Sequence, residues 1–141
     1  GSQLLEFKII KAKEVPEVAK ELKIEASEEL YALVRLRTGN NTPIALQYTY
    51  IPRKFIEHFD LSVLDKSLES YIESLGYDIT GFLTRLRAME GNEDQLRILQ
   101  TTNRAILNSI SIRYVDTTIP FYYTSSFYRS DLYEYTFSSF N

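Results

Sequence analysis

An α+β fold built on an antiparallel sheet is what this sequence predicts, and three observations lead there. Most of the chain divides into short runs in which apolar and polar side chains alternate with a period of two, the signature of strands. Tight polar turns join neighbouring runs, which makes hairpins and therefore antiparallel pairs. Helical patterns are short and enter singly or in pairs. They do not alternate strand by strand as a parallel, doubly wound sheet requires.

Taken in order, residues 4–10 (LLEFKII) read as a strand, and 15–23 (VPEVAKELK) as a short helix with Pro16 in its first turn. Residues 30–37 (LYALVRLR) form a strand with Leu30, Ala32, Val34 and Leu36 on one side and Tyr31, Leu33, Arg35 and Arg37 on the other. TGNNT is a turn, because Gly and Asn tolerate positive φ. Residues 43–51 (PIALQYTYI) return as the partner strand, and Pro52 opens a short helical stretch to Phe59. A helix over 67–75 has Asp65 or Ser67 as its cap and Gly76 as its end. A strand over 77–89 follows, then a helix over 92–100 capped by Asn92. Residues 105–115 and 120–128 pair across Asp-Thr-Thr, and a last strand is expected over 133–139 after a break at Arg129-Ser130-Asp131.

The chain has 141 residues, 44% hydrophobic and 25% charged, which suits one domain with one core. A net charge of −3 argues against this chain wrapping a nucleic-acid backbone, which needs a basic stripe. There is no cysteine, and His58 is the single histidine. Disulfides, thiolate chemistry and zinc clusters are thereby excluded, and no metal is expected. No Gly-rich phosphate loop appears, so no cofactor is expected; Gly39, Gly76, Gly81 and Gly91 are isolated and read as turn glycines. No apolar run approaches the roughly 20 residues that span a bilayer, so a membrane partner is not expected and a cytoplasmic location is the default. Gly1-Ser2 resembles the scar left by tag removal, leaving 3–141 as the domain proper.

Arg35 and Arg37 carry the sharpest chemical hint. Residues two apart on a strand share a face about 7 Å from each other, and two guanidiniums so placed can bracket a phosphate or carboxylate. The plainer account is pairing with surface carboxylates, and Arg85 and Arg87 repeat the same spacing on another strand. Gln47 interrupts an apolar run. A buried amide there would need partners or a ligand, whereas simple alternation with Ala45 and Thr49 sends it outward. The late aromatics, from Phe121, Tyr122 and Tyr123 to Tyr133 and Tyr135, suit core filling, contact surfaces or a sugar-lined cleft. The serines have no histidine at a recognisable spacing, and His58 lies in a charged stretch (RKFIEHF) expected to be helical, so a catalytic triad is not expected.

The runs VRLRTGNNTPIALQYTYIP, SLESYIESLGYDI, NEDQLRILQ and AILNSISIRYVDTTIPFYYTSSFYRSDLYEYTF, in this order, resemble the UTRA domain. That is the effector-binding domain of GntR-type bacterial transcriptional regulators of the HutC subfamily. The resemblance spans about residues 3–139. Its most specific parts are the Arg-x-Arg strand whose hairpin ends in Tyr-Ile-Pro, and Tyr128-Arg129-x-Asp131 before an aromatic stretch. The resemblance implies a chorismate lyase-like antiparallel sheet with peripheral helices, a homodimer, a small-molecule effector and no catalysis. It also implies that operator DNA is bound through a preceding winged helix-turn-helix that is absent from this chain.

Carried over by position, Arg35 and Arg37 match residues that hold the phosphate in sugar-phosphate-sensing members. Ser67 matches a helix-start serine that helps them, and Tyr128 a tyrosine on the ligand side. Arg129 and Asp131 match a turn pair that reads as structural. Gln47 stands where a ligand-contacting glutamate is common, Tyr122 where another acid can sit, and Glu69 replaces a tyrosine. The cationic end is thus kept and the end facing the body of the effector rebuilt, which favours a neutral sugar phosphate or another anion over an amino-sugar phosphate. A chorismate lyase-like enzyme acting on an aromatic dicarboxylic acid, and a dimerisation module without a ligand, are the alternatives.

Overall fold

The computed structural model describes residues 1–64, 67–116 and 118–140. Its centre is a six-stranded sheet in the order β1-β2-β3-β6-β5-β4, antiparallel at every pairing. The strands are β1 (Ser2–Lys11), β2 (Glu29–Gly39), β3 (Thr42–Pro52), β4 (Ile79–Glu90), β5 (Ala105–Val115) and β6 (Ile119–Arg129). The helices are short: α1 (Pro16–Leu22), α2 (Leu68–Ser74) and α3 (Glu93–Ile98). The expected α+β antiparallel class is the observed one.

Local chemistry explains most of the boundaries. Asn40 and Asn41 take φ of 51° and 63° at the β2–β3 turn, the left-handed pair that a two-residue hairpin requires. The Asn92 side chain accepts from Gln95 N, and the Gln95 side chain accepts from Asn92 N, closing a capping box at the start of α3. Ser67 caps α2 by accepting from Ser70 N at 3.3 Å; Asp65, the other expected cap, lies outside the described residues, as does Thr117 of the β5–β6 turn. Gly76, at φ 98°, follows the last turn of α2.

Each face of the sheet has its own cover. On one, Val18, Ala19 and Leu22 of α1 pack against Leu30, Ala32, Ile110, Ile112 and Tyr123. Beside them Leu96 and Leu99 pack on Leu46 and Ile106. On the other, Leu68, Tyr71 and Ile72 of α2, with Ile56 and Leu64 from the connection after β3, cover Tyr31, Leu33, Ile51 and Tyr122. The second cover is short, so part of that face stays open.

Three expectations give way. The stretch after Pro52 is one 3-10 turn, Arg53–Phe55, and not a helix to Phe59. Its carbonyls are taken elsewhere: Tyr31 Oη donates to Ile56 O at 2.6 Å and Tyr77 Oη to Phe55 O at 2.8 Å. His58 accordingly sits in a bend with its side chain exposed. No strand forms over 133–139. This segment leaves β6, whose two edges are already occupied by β3 and β5, and a strand without a neighbour has no ladder to join. Gly81 lies within β4 at a register shift, and not in a turn.

Candidate effector site

The open part of the second face is a cavity of about 850 Å³ between α2 and the β6-β5-β4 side of the sheet. Its floor follows from strand register. Arg35 pairs with Gln47, Gln47 with Ser126 and Ser126 with Ser109, so these four form one row across the sheet. The next row is Thr49, Thr124, Ser111 and Thr84, and the one after it contains Tyr122, Arg113 and Phe82. Period-two alternation turns Ser109, Ser111 and Arg113 to the cavity while Ile110 and Ile112 go to the core beneath.

Arg35 is only 8% exposed. One terminal nitrogen lies 3.5 Å from Leu64 O, at the long limit of a hydrogen bond, and its Nε has no partner. Among the described residues no carboxylate pairs with it or with the exposed Arg37. Burial, and then the neighbouring Arg37 cation, pull the Arg35 pKa down, although a guanidinium stays charged at neutral pH. Gln47, 9% exposed, donates from Nε2 to Ser126 Oγ at 3.0 Å, and its Oε1 has no partner. Turning the amide over would orphan the nitrogen instead, so in either orientation Gln47 has one polar atom to offer. The outward, solvated position that alternation suggested for Gln47 is therefore wrong. Ala45, Gln47, Thr49 and Ile51 are all buried on this face, Gln47 at the floor of the cavity.

The remaining expected residues line the same space. The Ser67 oxygen is engaged in capping, which leaves its O–H proton free to donate. Glu69, in the first turn of α2, accepts from Arg113 Nε at 2.6 Å. The Arg113 guanidinium also lies 5.0 Å from the centroid of the Phe82 ring. Burial pushes the Tyr122 phenol up to about 12 against the pull of Arg113, so it is a neutral donor at ordinary pH. Tyr128 stacks on Tyr133 with centroids 3.7 Å apart, and Tyr135 reaches the cavity rim. Arg129 holds Asp131 through two bonds and donates to Leu99 O at 3.2 Å. The pair thus ties the turn after β6 to the end of α3, away from the cavity lining.

The lining sets three guanidiniums, of Arg35, Arg37 and Arg113, against one side-chain carboxylate, Glu69, in a chain of net charge −3. A buried cation beside an orphaned amide and a row of hydroxyls is equipped to bind a small polar anion. The UTRA domain profile matches residues 1–134.

The chain belongs to the UTRA domain family.

Its relatives are transcriptional regulators. It is 31% identical over 140 residues to the HTH-type transcriptional regulator GmuR of Bacillus subtilis, covering 92% of this chain and 59% of that protein. The chain thus spans under two thirds of the length of this curated relative. The fold matches a GntR-family transcriptional regulator from Enterococcus faecalis at a TM-score of 0.91 and 18% identity, over 99% of this chain and all of that one. It also matches the ligand-binding domain of a GntR-family regulator from Bordetella bronchiseptica at 0.86 and 22% identity, over 100% and 90%.

The positions carried over from UTRA members as ligand-side, Arg35, Arg37, Gln47, Ser67, Glu69, Tyr122 and Tyr128, lie in the lining of this one cavity, while the turn pair Arg129 and Asp131 does not. Sequence reasoning passed over Arg113, Phe82 and the hydroxyls of Thr84, Ser109, Ser111, Thr124 and Ser126. The alternation in NSISIRYV was their available signal: two serines and an arginine share a face opposite two isoleucines.

Proposed function

We propose that this UTRA domain senses a small anionic effector, a phosphorylated sugar by preference, within a GntR-type regulator of the HutC subfamily. Arg35 and Arg37 hold the phosphoryl group with help from the Ser67 hydroxyl. Gln47, Glu69, Tyr122 and Tyr128 contact the body of the ligand. The observation that carries this reading is Arg35 itself: a guanidinium 8% exposed, with an unpaired Nε and no counter-carboxylate among the described residues. Such a group costs free energy until an anion arrives.

The domain catalyses nothing in this reading. It pairs with a second copy, and DNA is contacted by a winged helix-turn-helix carried elsewhere in the full regulator. The name of the B. subtilis relative, an HTH-type regulator longer than this chain, supports that division of labour. The dimer samples arrangements that do and do not fit operator half-sites. The effector favours one by its differential affinity, typically about 1–3 kcal/mol.

The test is thermal unfolding of the domain with inorganic phosphate and a panel of sugar phosphates. Binding to the folded state alone raises the midpoint. Arg35→Ala and Arg37→Ala should each abolish the rise. A rise that survives both substitutions refutes the phosphate clamp.

A further inference from the structure

We infer that two copies of this domain pair through β4, strand against antiparallel strand, with Thr84 facing the partner's Thr84 on a two-fold axis. This rests on the pairing with a second copy proposed above and assigns the surface that makes it. The sheet has two free edges among the described residues, β1 and β4, and a free edge offers a row of unpaired N–H and C=O groups to another strand. The two edges are not equally guarded. β1 exposes apolar side chains at Leu5 and Ile9, but it is broken by a register shift between Leu4 and Glu6 and carries Glu6, Lys8 and Lys11, all exposed. Bulges and lysines are what keep an edge from pairing. β4 runs in unbroken register from Gly81 to Glu90 and contains neither Lys nor Pro. Its two cations are drawn back onto the domain itself, Arg85 to Glu21 at 2.6 Å and Arg87 Nε to Asn108 Oδ1 at 2.9 Å.

The sequence of β4 selects one register. A two-fold axis through the joined sheet keeps equivalent faces on one side, so side chains of the same face meet across the pair. With Thr84 at the axis, Phe82 meets the partner's Leu86, Leu86 meets the partner's Phe82, and Leu83 meets the partner's Arg85. No like charges are opposed. With Arg85 at the axis, Arg85 meets the partner's Arg85. With Leu86 at the axis, Arg85 meets the partner's Arg87. Like charges directly opposite destabilise a ladder. With Leu83 at the axis, Phe82 meets only the partner's Thr84, and both apolar pairs are lost. Phe82 and Thr84 line the cavity, and Leu86 shares their face by alternation. Phe82 and Leu86 are 64% and 39% exposed, and the favoured register covers both. The partner's Leu86 then lies against the outer wall of the cavity, and the two cavities open on the same face of one joined sheet.

The experiment combines sedimentation equilibrium of the domain with disulfide mapping. The chain has no cysteine, so a single introduced thiol can pair only with its own copy. Directly opposite residues of an antiparallel pair have Cα atoms about 4.5–5.5 Å apart, within disulfide reach. Thr84→Cys is expected to give a cross-linked dimer under mild oxidation. In Phe82→Cys the two thiols lie four residues apart along the paired strands, about 13 Å, and no cross-link is expected. Leu86→Lys changes an exposed side chain outside the cavity lining and should weaken the dimer about tenfold or more. A dimer that Leu86→Lys leaves intact, that Thr84→Cys does not cross-link, or that Phe82→Cys cross-links as readily, overturns the β4 register and leaves the pairing reading standing. A domain that stays monomeric overturns both.

Discussion

Arg35 sets a conflict between stability and binding at one residue. Its guanidinium is desolvated without a counter-ion among the described residues, and an apolar replacement of similar length avoids that penalty. Arg35→Met is therefore expected to raise the stability of the empty domain by about 1–3 kcal/mol in urea unfolding, while removing any ligand-induced shift. A less stable Arg35→Met domain would show that the charge is already compensated. Tyr122 makes a separate statement about pH. Its phenol titrates near 12 in the folded chain and near 10 when unfolded. The stability this contributes is fully present below pH 10 and is lost as pH rises through 12, on the order of 2–3 kcal/mol in all. Tyr122→Phe should flatten that part of the stability curve relative to the native chain, measured by chemical denaturation at stepped pH.

Among the elements, the short helices depend on their caps, because six or seven residues cannot sustain a helix alone. Asn92→Ala removes one half of the α3 capping box and should cost about 1 kcal/mol. Leu96 and Leu99 then hold less firmly over Leu46 and Ile106. Ser67→Ala has a double effect. It weakens α2 by a similar amount and deletes a hydroxyl from the cavity, so loss of binding should exceed what lost stability explains. The hairpin turn offers the opposite sign. Asn41, at φ 63°, sits where glycine is favoured, and Asn41→Gly should stabilise the domain by a few tenths of a kcal/mol.

The whole molecule separates its two tasks by sheet face. One face carries α1 and α3 over a continuous apolar layer. The other is apolar only under α2 and the connection after β3, and turns polar toward β4. A ligand filling the cavity would touch β2, β3, β4, β5, β6 and α2 together, so binding is expected to stabilise the domain as one unit. At a hundred times its dissociation constant, an effector adds about 2.7 kcal/mol, which for a domain of this size is on the order of 10 °C in midpoint. A broadened or split unfolding transition would instead mean that α2 and its connection respond alone. The tail after Arg129 belongs to this scale too. Phe137 and Phe140 are 74% and 92% exposed, and Tyr128–Tyr133 stacking is what returns the chain toward the cavity.

How much of this was legible depends on whether the information is local. Alternation and turn chemistry fixed β2, β3, β5 and β6, and caps fixed α2 and α3, because each depends on residues within a few positions. The site positions were reached through motif likeness to UTRA members, and all lie in one cavity. What spacing could not decide was which face of the sheet is wet. Gln47 alternates with Ala45 and Thr49 like a solvated residue, and only the folded structure shows it to be a buried amide with an orphaned oxygen. Arg35 and Arg85 share one spacing, yet Arg85 meets Glu21 at 2.6 Å whereas Arg35 meets no described carboxylate. The missing strand over 133–139 has the same origin. Its pattern is strand-like, but β6, from which it emerges, is paired on both sides, and the free edges of the sheet are at β1 and β4. The sequence by itself therefore determined the strands, the hairpins and the caps, since those are settled by near neighbours. Tertiary structure alone decided which polar groups lost their water, since burial depends on elements far apart in the chain.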